Sequence, residues 1–257
     1  MLSSVALHGC SATSDDTADT DTDTGTDTDT DTDTDRVALG SQGDATWTVE
    51  AWGDEGLHIG RNAVGFRVLG GDGAPVDGLV LTQAPLMDMG EMEHACPYTQ
   101  PAASGNGWYE SEVVFITAGM WSDTVTVSDG TRSLAYAFTD LDVAEGMGQT
   151  LTVGEQTWVV TFDIAGEPNV GANPFVLTVH AMQDSMGFPE VPDLSVDIEP
   201  SMPSMGHGSE GNVDPVYTRD GKYEGTVVFS MGGGWEVAFT IADRSGSETV
   251  VTFELEI

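Results

Sequence analysis

The chain carries one sequence twice, and that limits what it can fold into. Residues 44–69, DATWTVEAWGDEGLHIGRNAVGFRVL, recur as EQTWVVTFDIAGEPNVGANPFVLTVH at 155–180. Trp47 then faces Trp158, and Gly60-Arg61-Asn62 faces Gly171-Ala172-Asn173. Further on, GWYESEVVFITAGMW (107–121) returns as GKYEGTVVFSMGGGW (221–235), which pairs Tyr109 with Tyr223, Phe115 with Phe229 and Trp121 with Trp235. The offset drifts only from 111 to 114. Two copies of one domain are therefore expected, at 37–145 and 146–257.

Both copies read as β. Segments such as AVGFRV, FVLTVH and WEVAFTI alternate apolar and polar residues, so one face of each strand meets a core. Gly70-Gly71-Asp72-Gly73, Asp129-Gly130 and Asp220-Gly221 punctuate them as turns. No long segment has helical periodicity. Short strands and frequent turns in units of about a hundred residues predict an all-β chain of two tandem sandwiches. Trp121 and Trp235 are expected as core anchors.

Ahead of the copies, residues 13–35 read TSDDTADTDTDTGTDTDTDTDTD. Nothing there can offset the entropy of ordering the chain, so residues 11–36 are expected to form a disordered acidic linker, extended by like charge. The Asp ladder lacks the glycine and terminal glutamate of an EF-hand loop. The chain opens MLSSVALHGC, and Leu7-His8-Gly9-Cys10 resembles the lipobox of a bacterial lipoprotein. The resemblance implies that 1–10 is a signal remnant, that Cys10 carries the lipid, and that the linker tethers the sandwiches to the membrane. His8 is unusual in such a box, and the segment lacks a basic start and a full apolar stretch. No run reaches the roughly 18 apolar residues of a spanning helix, so membrane contact is expected only through the lipid.

The net charge is −36, from 43 acidic and 7 basic residues. Such a surface repels phosphate backbones, which excludes nucleic acid as a partner, and attracts cations. Two cysteines, Cys10 and Cys96, make no disulfide framework. No Gly-x-Ser-x-Gly elbow, His-Glu-x-x-His or phosphate loop is present, so an enzyme is not expected.

One motif survives in both copies with its chemistry intact. Copy one contains Met89-x-x-Met92-x-His94, and copy two contains Met202-x-x-Met205-x-His207, at a constant offset of 113. Thioether sulfur is a soft, neutral ligand that suits Cu(I) and suits zinc, calcium or magnesium poorly. Outside the cytoplasm, where free thiols oxidise, methionine with histidine is a practical Cu(I) ligand set. Cys96 is a possible fourth ligand in copy one, and HAMQDSM (His180, Met182, Met186) a further cluster. The competing reading makes these methionines adaptable packing and the histidines surface residues.

The order of a Gly-x-Asn strand, the Met202-Pro203-Ser204-Met205-Gly206-His207 loop, Gly221-Lys222-Tyr223 and Gly233-Gly234-Trp235-Glu236-Val237 resembles the YtkA-like (FixH-related) domain. Copy one is more distant, with Gly90 where copy two has Pro203 and Ser122 after Trp121. The resemblance implies immunoglobulin-like sandwiches in the bacterial cell envelope, on the outer membrane or facing the periplasm. It also implies copper handling or oxidase maturation, with another envelope copper protein or an oxidase subunit as partner. The expected function is a lipid-anchored copper chaperone, buffer or resistance factor. The alternative is a metal-free structural or interaction module displayed on the envelope.

Overall fold

A computed structural model describes residues 36–257. The Cys10 lipobox and all of the expected linker except Arg36 lie outside these residues. Arg36 itself is docked: its guanidinium pairs with Glu110 at 3.0 Å and lies 4.6 Å from the Trp108 ring centre.

The first copy is built from β1 (Val37–Gly43), β2 (Trp47–Gly53), β3 (Gly60–Gly70), β4 (Val80–Thr82), β5 (Pro85–Asp88), β6 (Glu93–His94), β7 (Ala102–Gly105), β8 (Trp108–Phe115), β9 (Gly119–Ser128) and β10 (Ser133–Val143). The second is built from β11 (Gly148–Val153), β12 (Gln156–Ile164), β13 (Gly171–Ala181), β14 (Ser195–Met202), β15 (His207–Gly208), β16 (Val213–Arg219), β17 (Lys222–Phe229), β18 (Gly234–Ala242) and β19 (Glu248–Glu256).

One sheet of the first copy runs β1-β2-β3-β8-β7 and the other β10-β9-β5-β6, with β4 also on β9. The second copy repeats this as β11-β12-β13-β17-β16 and β15-β14-β18-β19. Without the outer β1, the orders β2-β3-β8-β7 and β5-β9-β10 are the ABED and CFG sheets of an immunoglobulin constant-type sandwich. The second copy obeys the same mapping, so the described residues are all-β and form two immunoglobulin-like sandwiches.

Period-two burial explains the layers. β2 and β18 bury every second side chain, so one face of each sheet is apolar. Val49, Phe66 and Tyr109 of one sheet meet Trp121, Val125 and Phe138 of the other in the first core. Phe162, Phe175, Phe239 and Phe253 are central to the second, with the Phe162 and Phe239 rings 5.1 Å apart. The two cores share no residue.

The repeated polar residues have local causes. Asn62 donates its amide to the carbonyls of His58 and Gly60 and accepts from the His58 N–H. Asn173 does the same with Asn169 and Gly171. Each buried amide thus closes the loop that feeds β3 or β13 and satisfies backbone groups that water cannot reach. The Tyr109 hydroxyl donates to Val76 O and accepts from Leu79 N, and Tyr223 repeats this with Val191 and Leu194.

The sandwiches are joined by polar contacts. Glu112 of β8 takes Arg61 of its own sandwich on one oxygen, at 3.0 Å, and Lys222 of β17 on the other, at 2.9 Å. Asp163 of β12 accepts the Arg61 backbone N–H at 3.1 Å and lies 3.9 Å from His58 Nε2. Ala95 donates its N–H to Ser185 O at 2.8 Å. At the crossover, a β-carbon on Gly146 would lie 2.0 Å from the Ile59 carbonyl oxygen, so only glycine passes there.

Burial raises the Asp163 carboxyl to about 6, against the lowering effect of Arg61 and Thr161. Between the unfolded value of 3.8 and 6 the folded chain holds a proton that the unfolded chain has released. That group therefore favours folding near pH 4, and its contribution is lost as the pH rises through 6. Denaturation of wild type and Asp163→Asn across pH 4–8 is expected to show this. The stability of wild type relative to the variant should fall by roughly 1–3 kcal/mol over that range.

Candidate metal centre

The first Met/His segment folds as a tight hairpin. Met87 of β5 pairs with His94 of β6, Asp88 pairs with Glu93, and the Met89 N–H reaches Met92 O at 2.9 Å. Gly90 and Glu91 make the turn. Gly90 has φ +88°, as the first central residue of a Gly-X hairpin turn requires. Strand side chains alternate between faces. Two cross-strand pairs of like phase, Met87 with His94 and Met89 with Met92, therefore share one face of this hairpin.

The depths of these residues differ sharply. Met87 is 8% exposed and belongs to the first core, whereas Met89 and Met92 are 64% and 62% exposed at the tip. The second hairpin is two residues shorter. Met202 of β14 pairs directly with His207 of β15, and the Met202 carbonyl accepts from both Met205 and Gly206 across the Pro203-Ser204-Met205-Gly206 turn. Met202 is 2% exposed and Met205 is 62% exposed.

The structural counterpart of Met202 is therefore Met87, not Met89. Matching the segments without a gap aligned Met89 with Met202, because the two-residue difference in hairpin length hides the equivalence. Met87 was visible only in the phase of the apolar alternation in Pro85-Leu86-Met87-Asp88, with Pro85 and Met87 buried. Met92 and Met205 do correspond as exposed turn methionines, and His94 and His207 as the half-buried cross-strand partners.

Beneath each hairpin lies a tryptophan. The Trp121 indole donates to Thr117 O at 3.0 Å, and the Trp235 indole to Met231 O at 3.1 Å. Each ring is wedged between a phenylalanine and the histidine. Trp121 lies 5.0 Å from both Phe115 and His94, and Trp235 lies 5.3 Å from Phe229 and 6.0 Å from His207. Gly119 and Gly233, with φ +122° and +131°, leave room for the Met87 and Met202 methyls; a β-carbon there would meet them at 3.0 and 3.2 Å. The tryptophans are thus core anchors, and their histidine-facing edges form the floor of each hairpin.

The histidines have the same orientation in both copies. His94 Nδ1 bonds Ala95 O at 3.0 Å, and His207 Nδ1 bonds Gly208 O at 2.9 Å. A carbonyl only accepts, so Nδ1 carries the proton and Nε2 of the neutral ring keeps its lone pair. In the first copy that nitrogen lies 3.4 Å from Thr117 Oγ1, and the same hydroxyl lies 3.5 Å from Met87 Sδ. A soft sulfur and an imidazole nitrogen converge on one point. The donor set fits a soft monovalent ion, with the tip methionines on the same face.

Other candidates fall elsewhere. Cys96 is buried, and burial, with the Asp123 carboxylate adding, pushes its thiol well up, which disfavours the ligating thiolate. His180 is buried between the sandwiches and burial lowers it to about 4, while Met186 is exposed. Among the described residues, no three His, Cys, Asp or Glu side chains gather as a metal group, and methionine lies outside that donor class.

Residues 152–240, within the second sandwich, match the family model described as YtkA-like. No curated protein matches the chain. Among solved structures, the adhesin InvE of Yersinia pseudotuberculosis is 12% identical at a TM-score of 0.26, over 79% of this chain and 56% of that one. The Escherichia coli adhesin FdeC is 15% identical at 0.28, over 82% and 65%. A conserved domain protein from Bacillus anthracis is 8% identical at 0.34, over 86% and 90%. The chain spans less than two thirds of either adhesin. Likeness this low carries no argument, and the fold rests on the strand order alone.

The contrast in depth gives a direct test. Met202→Ala should cost about 2–5 kcal/mol in urea denaturation because it leaves a cavity against Trp235. Met205→Ala should change stability by no more than about 0.5 kcal/mol.

Proposed function

We propose that the chain is a lipid-anchored protein of the bacterial cell envelope that binds Cu(I) in each of its two sandwiches. It would serve as a copper chaperone, buffer or resistance factor. The observation that carries this reading is the convergence of Met87 Sδ and His94 Nε2 on Thr117 Oγ1, with Nδ1 tied off by a backbone carbonyl. Holding one ring nitrogen in this way orients the other as a ligand.

The tips add a second support. Met89, Met92 and Met205 are more than 60% exposed, so an ion arriving from solvent can reach their sulfurs. An ion seated by the buried methionine and the histidine would be closed over by these sulfurs, and neutral donors leave a monovalent cation its charge. The acidic surface raises the local concentration of cations around the hairpins. The YtkA-like match of residues 152–240 supports an envelope setting, and anchoring through Cys10 follows from the lipobox resemblance. The partner would be another envelope copper protein or an oxidase subunit that takes the ion by ligand exchange at the exposed tips.

Anaerobic competition of the full chain against a chromogenic Cu(I) chelator tests the reading. Two ions per chain are expected, one after either His94→Ala or His207→Ala, and none when both are replaced. Failure of the wild-type protein to compete would overturn the copper reading and leave the tandem sandwiches as a display or interaction module.

A further inference from the structure

The two hairpins stand over different third groups. In the first copy Thr117 Oγ1 is the atom on which Met87 Sδ and His94 Nε2 converge. Its position in the second copy is occupied by Met231. Three features make the positions equivalent. Each gives its carbonyl to the indole of the tryptophan four residues on, at 3.0 and 3.1 Å. Each is followed two residues later by a glycine of positive φ, Gly119 or Gly233. That glycine lies against the methyl of the buried hairpin methionine in both copies.

The backbone therefore launches the Met231 side chain from the place where Thr117 reaches the paired donors. A hydroxyl is a hard and poor ligand for Cu(I), and a thioether is a soft and good one. Met231 is 40% exposed, so its sulfur is free to swing toward an ion without disturbing the core. The second hairpin also lacks the longer tip of the first, which offers Met89 and Met92 as a cross-strand pair.

Resting on the copper reading above, we infer that Met231 is a ligand of the second site. The second site would take Met202, His207 and Met231, with Met205 at its mouth. The first would take Met87 and His94 and draw its remaining sulfurs from the tip. The sites then differ in how they hold and release the ion: the second is built around a strand-end sulfur, and the first is completed by the hairpin itself.

The test uses single-site forms of the full chain. His94→Ala leaves the second site and His207→Ala the first. In the His94→Ala chain, Met231→Leu, which keeps volume and removes sulfur, is expected to weaken Cu(I) retention at least about tenfold. In the His207→Ala chain, Thr117→Met is expected to strengthen retention by a similar factor. Methyl NMR of methionine-labelled wild type with Ag(I), a redox-inert soft ion, should shift the Met231 methyl together with that of Met202. If the His94→Ala chain binds and Met231→Leu leaves both affinity and the Met202 shift unchanged, the assignment of Met231 is overturned while the copper reading stands. If neither single-site chain competes for Cu(I), the copper reading falls, and this assignment with it.

Discussion

Each sandwich turns on an indole N–H that reaches back four residues to a backbone carbonyl. Trp121 holds Thr117 in this way, and Trp235 holds Met231. The bond satisfies a buried donor that would otherwise cost about 1–3 kcal/mol. It also sets the approach to β9 and β18, where a glycine of positive φ brings the chain against the hairpin methionine. Phenylalanine on one side and histidine on the other then have only one way to meet the ring. The core and the candidate site are two faces of the same side chain.

Much of this was legible in the sequence because duplication prints its own alignment. Trp47 with Trp158, Asn62 with Asn173 and Tyr109 with Tyr223 occupy equivalent places, and each has a physical reason to persist: a core position, a loop-closing amide, a hydroxyl bridging two backbone groups. Period-two alternation was enough for the strands. What the sequence hid was register. A hairpin two residues longer in one copy shifts the buried methionine from the place of Met89 to that of Met87, and a gap-free match cannot show this. The role of Thr117 was equally hidden, because a threonine near a turn has no pattern of its own. The grouping of His180 with Met182 and Met186 rested on proximity in sequence, whereas alternation along β13 turns Phe175, Leu177 and Val179 to the second core and His180 to the opposite face, which the first sandwich covers.

The joint between the copies follows a different logic from the cores. The two cores have no residue in common, and Ile59 of the first lies against Gly146 and Gly148 of the second copy. Glu112 binds Arg61 and Lys222 with its two oxygens, so one carboxylate ties both sandwiches. In a chain with only 7 basic residues, two of them meet at this one acid. Partly buried pairs of this kind are screened by salt less than surface pairs are. Asp163 nearby couples the same joint to protonation.

The bond from Ala95 to Ser185 has a consequence beyond orientation. β6 is the outermost strand of its sheet, and such a strand offers unpaired backbone groups to any passing chain. Ser185, from the second copy, accepts the N–H of Ala95, the residue just past β6 and next to His94. The second sandwich thus covers a backbone donor at this edge of the first. A first copy cut free of its neighbour would return that N–H to solvent. Duplication of the domain thus covers part of an edge as well as doubling the number of hairpins.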